Sequence, residues 1–476
     1  MATFVASRRG SPKLCFEGYM YTKHRTNDEK TAWRCEKFQE GCRGRAVTAG
    51  ETTTVTQGHT CHLPSPENVA AARLQDEIKT AAKRSHDTPR NVVTACLQGA
   101  RPATIAKLPK LSSLERKVNR VRREAHGAAQ VPHRIDDIIV PEHLRMTRTA
   151  SPEVFLAGDT GCSDSERIMI FACNTDLCRL NTCETWLCDG TFKVAPEMFY
   201  QLWVVHGLYK GRVLPLVYCL LPNKREATYK RATRMLLEAI DDATSSPRQV
   251  QTVVMDFEKS EENAFRECIP DVDVHGCLFH FAQSIWRRIQ ELGMHTRFID
   301  DSSYHLIVKK FIALCFCDVF DVCDRYRMLA RQLLDLFGRT EQHQEFLDYF
   351  ENTWVGRPHK DPRFPISMWN CKRVTEVSLP RTNNSVESWH RVFQNSIGAS
   401  HPTVFKLLDA LLSEQVRVNA MAIQLDVGHE PPLYTKKEYE QSNKRLCRIL
   451  DDYNNRDADS FLNACSCYVL GDSRVY

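Results

Sequence analysis

The sequence predicts an α/β protein with a mixed-sheet core, preceded by a small β-rich module. Three observations carry that expectation. Two apolar runs, Trp186-Leu-Cys-Asp189 and Gln251-Thr-Val-Val-Met-Asp256, each end in a carboxylate, and the second has the unbroken apolar character of a buried parallel strand. From Arg167 to Cys277 the apolar periodicity switches between strand and helix. The first sixty or so residues are poor in apolar side chains but carry aromatic, β-branched, cysteine and histidine residues, a pattern that needs a staple to fold.

With 476 residues the chain is long enough for two to four domains. Its 42% hydrophobic and 26% charged residues are those of an ordinary globular protein. The longest apolar stretch, Val213 to Leu221, is too short to span a bilayer, and no leader pattern opens the sequence, so we expect an intracellular protein with no membrane partner. Twenty scattered cysteines then read as reduced thiols plus a local metal site. A net charge of +5 does not by itself identify a nucleic-acid partner.

Residues Lys13 to Tyr21 alternate toward strand around a break at Gly18, Thr31 to Cys35 read as a second strand, and Ala46-Val-Thr48 with Thr52 to Thr56 as a hairpin across Ala49-Gly-Glu51. Cys35, Cys42, His59 and Cys61 supply four ligands suited to tetrahedral Zn²⁺. His62 competes with Cys61 for the last place, and Cys15 is a more distant candidate. The positions Phe16, Gly18-Tyr19, Tyr21, Trp33-Arg-Cys35, Gly41-Cys42 and His59-x-Cys61 resemble a FLYWCH-type zinc finger. That family more often ends in His-x-His, so the last ligand stays open between Cys61 and His62. The resemblance implies contacts with DNA or protein, and Lys37, Arg43 and Arg45 would suit phosphate.

Leu63-Pro-Ser-Pro66 closes the module, giving a first domain over 1–66. A helical, basic connector is expected over 67–150, with helices from Glu67 to Lys83 and from Ser112 to Ala128. The second sets Arg116, Lys117, Arg120, Arg122 and Arg123 against an apolar stripe of Leu111, Leu114, Val118 and Val121. Arg116, Lys117, Arg120 and Arg123 are candidates for a DNA backbone, against the alternative of a solvated helix face.

In the core, strands are expected at Arg167 to Ala172, through Asp189, at Tyr200 to Leu208 and at Arg212 to Leu221, with a hairpin at Tyr209-Lys-Gly211. A helix over Ala227 to Ile240, the Asp256 strand, a helix over Glu261 to Cys268 and a strand over Val272 to Cys277 follow. Counted from the Asp189 strand, three strands, a helix, a strand, a helix and a fifth strand is the order of the ribonuclease H-like fold. Its first and fourth strands are neighbours, so Asp189 and Asp256 would face each other. Like charges that close repel, and a divalent cation is a reason to keep both. The best third carboxylate is Glu387 in Arg381-Thr-Asn-Asn-Ser-Val-Glu387-Ser-Trp-His390. Asn384 or Ser385 would cap that helix, with Glu387 and His390 on one face and Val386 and Trp389 on another.

These pieces resemble a Mutator-like element (MULE) transposase: Asp189-Gly-Thr-Phe192, Asp256-Phe-Glu258, Cys277-x-x-His280 and Thr382-Asn-Asn-x-x-Glu387-x-x-His390, with Phe350-Glu-x-x-Trp354 and Trp369-Asn370. The resemblance covers about 151–425 and leaves 426–476 as a tail without assigned function. It implies a DDE transposase whose catalytic carboxylates are Asp189, Asp256 and Glu387. Such a triad holds two Mg²⁺ or Mn²⁺ ions about 3.5–4 Å apart for strand cleavage and strand transfer. The alternative is a domesticated DNA-binding regulator that does not cut. Cys277 and His280 read as a core pair, as half of a second zinc site, or as support for the active site; His390 would orient substrate or cap a neighbour. Mostly helical patterns over Ser284 to Leu292, His305 to Cys317, Asp321 to Phe337 and Glu341 to Thr353 suggest an all-helical insertion at about 284–370. The implied partners are double-stranded transposon ends and target DNA, the implied place is the nucleus, and joining two ends implies a homo-oligomer.

Overall fold

The computed structural model describes residues 2–6, 11–27, 30–84, 89–125, 132, 134–377, 379–429 and 437–469. The chain divides into two compact units, residues 1–130 and 131–476.

In the first unit six strands form an antiparallel sheet in sequential order: β1 Thr3–Ala6, β2 Pro12–Phe16, β3 Tyr19–Thr26, β4 Lys30–Cys35, β5 Arg45–Ala49 and β6 Thr52–Gln57. Ala49 pairs with Thr52, so the foreseen hairpin forms. Alternation sends Leu14, Tyr21, Trp33 and Ala46 to one buried cluster. On the other face Val5 and Cys15 pack against Val69 of the Pro66–Arg84 helix. That helix joins helices Pro89–Leu97 and Leu111–Ala125 around Ile78, Val92, Val93, Leu114, Val118 and Val121. The predicted stripe is thus buried, except that Leu111, the first helical residue, stays 53% exposed. The end of the predicted helix, 126–128, lies outside the described residues, as does the side chain of Arg123.

The second unit is built on a seven-stranded mixed sheet. Its strands are β7 Leu156–Asp159, β8 Met169–Phe171, β9 Thr185–Thr191, β10 Gln201–Tyr209, β11 Arg212–Leu221, β12 Thr252–Met255 and β13 Asp273–Gly276, in the order β13-β12-β9-β10-β11-β8-β7. The meander β9-β10-β11 is antiparallel, and β12 and β13 run parallel to β9. One face is covered by helices Asn174–Asn181, Glu226–Ala243, Lys259–Cys268 and Leu278–Glu291 in a cluster that extends through the helical region beyond. The other face is covered by helices Asn384–Ile397 and Val404–Asp426 through Phe393, Ile397, Leu407, Leu408 and Leu411.

Three expectations need correction. The last strand ends at Gly276, not Cys277, and its helix starts at Leu278 rather than Ser284. Leu278, Phe281, Ala282 and Ile285 are buried at helical spacing, so the residues left between the expected strand and the expected helix already obey the 3.6-residue period. His280 therefore sits in a helical first turn. The Glu387 helix begins at Asn384 after Asn383, which makes no side-chain cap bond. The tail carries helices Lys437–Asp451 and Ala458–Ser466, whose Leu446, Leu450, Phe461, Leu462 and Cys465 complete the large core cluster. All twenty cysteines are free thiols, and among the described residues no helix is long and apolar enough to cross a membrane.

Candidate functional site

Register brings the first two carboxylates together. Parallel pairing matches Val253 with Trp186 and Val254 with Leu187. Two residues further on, at the same level and on the same face, come Asp256 and Asp189. Leu187 and Val254 pack on Val386 of the Asn384–Ile397 helix, so that face is the one carrying Glu387. The helix is positioned by the segment before it. Leu278 N donates to Arg381 O at 2.9 Å, Asn383 N donates to Cys277 Sγ at 3.1 Å, and the buried Asn383 side chain donates to Cys188 O at 3.4 Å. Cys277 thus acts as a buried docking point for the segment that leads into this helix.

Two histidines meet the carboxylates. His280 Nδ1 lies 2.5 Å from Asp256 Oδ1 and its Nε2 3.6 Å from Glu387 Oε1. His390 Nε2 lies 3.8 Å from Asp189 Oδ2. These contacts lack hydrogen-bond geometry: Asp256 Oδ1, His280 Nδ1 and His390 Nε2 are buried atoms lacking a hydrogen-bond partner. Burial and the neighbouring Asp256 charge push the Asp189 carboxyl up to about 7. Burial also raises Glu387, with the Asp256 charge adding to it and His280 opposing. Burial works against charge on His280 too, yet Asp256 and Cys277 hold its pKa up at about 11. Burial pushes His390 down to about 4, outweighing the opposing Asp256 charge.

The orphaned Asp256 oxygen, and an Asp189 carboxyl that resists ionising beside it, fit a divalent cation. Asp189, Asp256 and Glu387 supply the hard oxygen donors such cations take. Their ligand atoms do not close into a set by themselves; among the described residues only the finger brings three or more such atoms within 4.8 Å of one another.

Two glycines permit the packing around the carboxylates. A Cβ on Gly190 would fall 2.2 Å from Gln201 Oε1, and one on Gly276 2.1 Å from the Phe257 ring. Phe257, beside Asp256, is wedged against Trp354 and Phe364 with ring centroids at 4.9 and 5.2 Å, so it has little room to yield. Gly276→Ala is expected to cost about 2 kcal/mol of stability, read as a lower denaturant midpoint with unchanged slope. A midpoint equal to the wild type would mean that the ring moves freely.

In the finger, Cys35, Cys42, His59 and His62 present ligand atoms within 4.8 Å of one another. Cys42 Sγ is 3.3 Å from His59 Nδ1, Cys35 Sγ 3.2 Å from His62 Nε2, and the two ring nitrogens are 3.3 Å apart. Ligands about 2.0–2.3 Å from a tetrahedral zinc lie roughly 3.3–3.8 Å from each other, so the set fits Zn²⁺. Of the two candidates for the last place, His62 occupies it, whereas Cys61 is exposed beside Cys42. His59 Nε2 is 2.9 Å from the Tyr21 hydroxyl, and Tyr19 stacks flat on the imidazole at 3.6 Å. His62 Nδ1 is 3.2 Å from Leu63 O. Each ring therefore spends one nitrogen on an oxygen and keeps the other for the ion. Tyr21→Phe keeps the ring packing and removes the hydroxyl; zinc affinity is expected to fall about tenfold in competition with a chromophoric chelator. Unchanged affinity would take Tyr21 out of the zinc shell.

The basic candidates are dispersed. Lys37 is exposed near Glu40 at 3.4 Å, Arg43 is exposed, and the Arg45 guanidinium lies 4.9 Å over the Phe38 ring. Arg116 and Arg120 are exposed, whereas Lys117 turns onto Gln75 at 3.0 Å.

With this geometry in view, residues 4–62 match the FLYWCH zinc finger domain family and residues 185–284 the MULE transposase domain family. The chain thus carries a FLYWCH zinc finger domain at its N-terminus and a MULE transposase domain in its second unit. It is 32% identical over 97 residues to the human "FLYWCH-type zinc finger-containing protein 1", covering 20% of this chain and 13% of that protein. The mouse protein of that name is 33% identical over 80 residues, covering 17% and 12%. The chain thus spans about an eighth of the length of these curated relatives. Among solved structures, the Drosophila P element transposase strand transfer complex aligns with 73% of this chain and 92% of its own, at 14% identity and a TM-score of 0.31, too low to define a shared fold.

Proposed function

We propose that the chain is a DNA transposase of the Mutator-like class, cutting and joining transposon ends by phosphoryl transfer. The observation that carries the reading is that Asp189 and Asp256, both within the MULE-matching segment, share one sheet edge and face with Glu387. The strand order β13-β12-β9-β10-β11 supports a ribonuclease H-like core. Asp189, Asp256 and Glu387 would hold two Mg²⁺ or Mn²⁺ ions, which supply activation of the attacking hydroxyl and stabilisation of the leaving oxygen. The chain's own groups orient that cluster: Asn383 docks the Glu387 helix on Cys277, and His280 spans Asp256 and Glu387. The FLYWCH finger, with Lys37, Arg43 and Arg45, and the helix carrying Arg116 and Arg120 would hold double-stranded DNA. A nuclear location and at least a dimer follow from a chromosomal substrate with two ends.

The test is strand cleavage by the full chain on DNA carrying the flanking ends of its own gene copy. Mg²⁺- or Mn²⁺-dependent cuts at those ends are expected. Specific binding without cuts would favour a domesticated DNA-binding regulator.

A further inference from the structure

We propose that Phe192 and Tyr200 form a shelf on which an unstacked nucleobase of the DNA substrate rests, one or two nucleotides from the phosphate being cut. This rests on the phosphoryl-transfer reading above and names how that site grips its substrate. Phe192 follows β9 directly and Tyr200 precedes β10, and the two strands are antiparallel. Both residues therefore lie at the sheet edge where Asp189 and Asp256 project. Phe192 is three residues beyond Asp189, about 10 Å along an extended chain.

Large aromatics at this edge have no folding reason to face water, yet Phe192 is 41% and Tyr200 52% exposed. Their rings meet edge to face at 5.4 Å. The shelf is rigid from below. Val194, Ala195 and Phe199 of the intervening loop are buried. The loop is also pinned from outside, because His401 N donates to Lys193 O at 2.8 Å and the His401 ring lies 3.0 Å from Ala195 O. A ring held still loses little entropy on stacking.

The surroundings select the occupant. Lys224 Nζ sits 4.9 Å over the Phe192 ring and 2.5 Å from Glu258 Oε2, tying the shelf to the strand end that carries Asp256. Lys193, exposed on the same loop, makes no ion pair with a carboxylate among the described residues. Aromatic faces beside lysines are how a single nucleic-acid strand is held without base-specific hydrogen bonds, since every base offers a π-face.

The experiment uses the full chain and forked DNA duplexes carrying the flanking ends of its gene copy, with 2-aminopurine at successive positions around the junction. Wild-type protein is expected to change the fluorescence at one or two adjacent positions as it binds. Tyr200→Leu and Phe192→Leu, which keep apolar bulk without a π-face, are expected to abolish that change and weaken binding roughly tenfold, and Tyr200→Trp to restore both. No fluorescence change at any position with wild type, or the same change in the leucine variants, would overturn the shelf. Cleavage with no change would leave the transposase reading standing and sink the shelf; the fluorescence change without cleavage would sink the phosphoryl-transfer reading and with it the shelf's place beside a cut phosphate, leaving only a base-stacking contact.

Discussion

Replacing Asp256 by asparagine is expected to lower metal-dependent strand cleavage by about 10³-fold, some 4 kcal/mol of transition-state stabilisation, while DNA binding is kept. Asparagine preserves shape but removes one of the charges that would hold the ions. The companion Asp189→Asn change separates catalysis from stability, because burial and the Asp256 charge raise Asp189 to about 7. An aspartate whose folded pKa lies above its unfolded value near 4 binds an extra proton when folded. Its contribution to stability therefore falls as pH rises from about 4 to about 7. Asp189→Asn removes that loss, so without added metal its stability relative to wild type should grow across this window and then level off. Added Mg²⁺ should bind wild type more tightly as pH rises toward 7, since the proton must leave. Thermal unfolding at stepped pH, with and without Mg²⁺, measures both; a variant no more stable than wild type at pH 8 would show that neither burial nor the Asp256 charge disfavours the ionised Asp189.

The second large effect belongs to the finger. Cys42→Ala, or removal of zinc by a chelator, is expected to unfold the sheet of residues 11–57. Structural zinc contributes about 10–16 kcal/mol of apparent binding energy in small fingers, whereas the buried apolar set on one face is only Leu14, Tyr21, Trp33 and Ala46. The check is limited proteolysis of the full chain: new cuts within residues 11–62 on chelation, suppressed by returning zinc. Cys61→Ser should leave the cleavage pattern and the zinc content unchanged, because His62 fills the fourth place. Loss of zinc in that variant would return Cys61 to the ligand set.

Much of this architecture was legible in the chain. The Asp189 meander, the Asp256 strand and the acidic first turn of the Glu387 helix all follow from local periodicity. β7 was not legible, because Leu156-Ala-Gly-Asp159 has neither length nor alternation to mark it. The first two turns of the helix through His280 were not legible because the aromatic run Phe279-His280-Phe281 fits either period. The tail helices show a buried stripe but not its destination, which is the large core cluster.

By itself the sequence determined which segments become strands and helices, where the carboxylates fall on them, and that the finger needs a metal. Those properties are set by side-chain periods of two and 3.6 and by ligand chemistry, all local. Only the tertiary structure decided which groups meet. Asp256 comes level with Asp189 through parallel register, Glu387 joins them because Asn383 docks on Cys277 and Cys188, and His62 displaces Cys61 through the path of the chain after His59. Each depends on backbone contacts between segments far apart in the chain or on a turn's exact course, and neither leaves a period for a sequence to display.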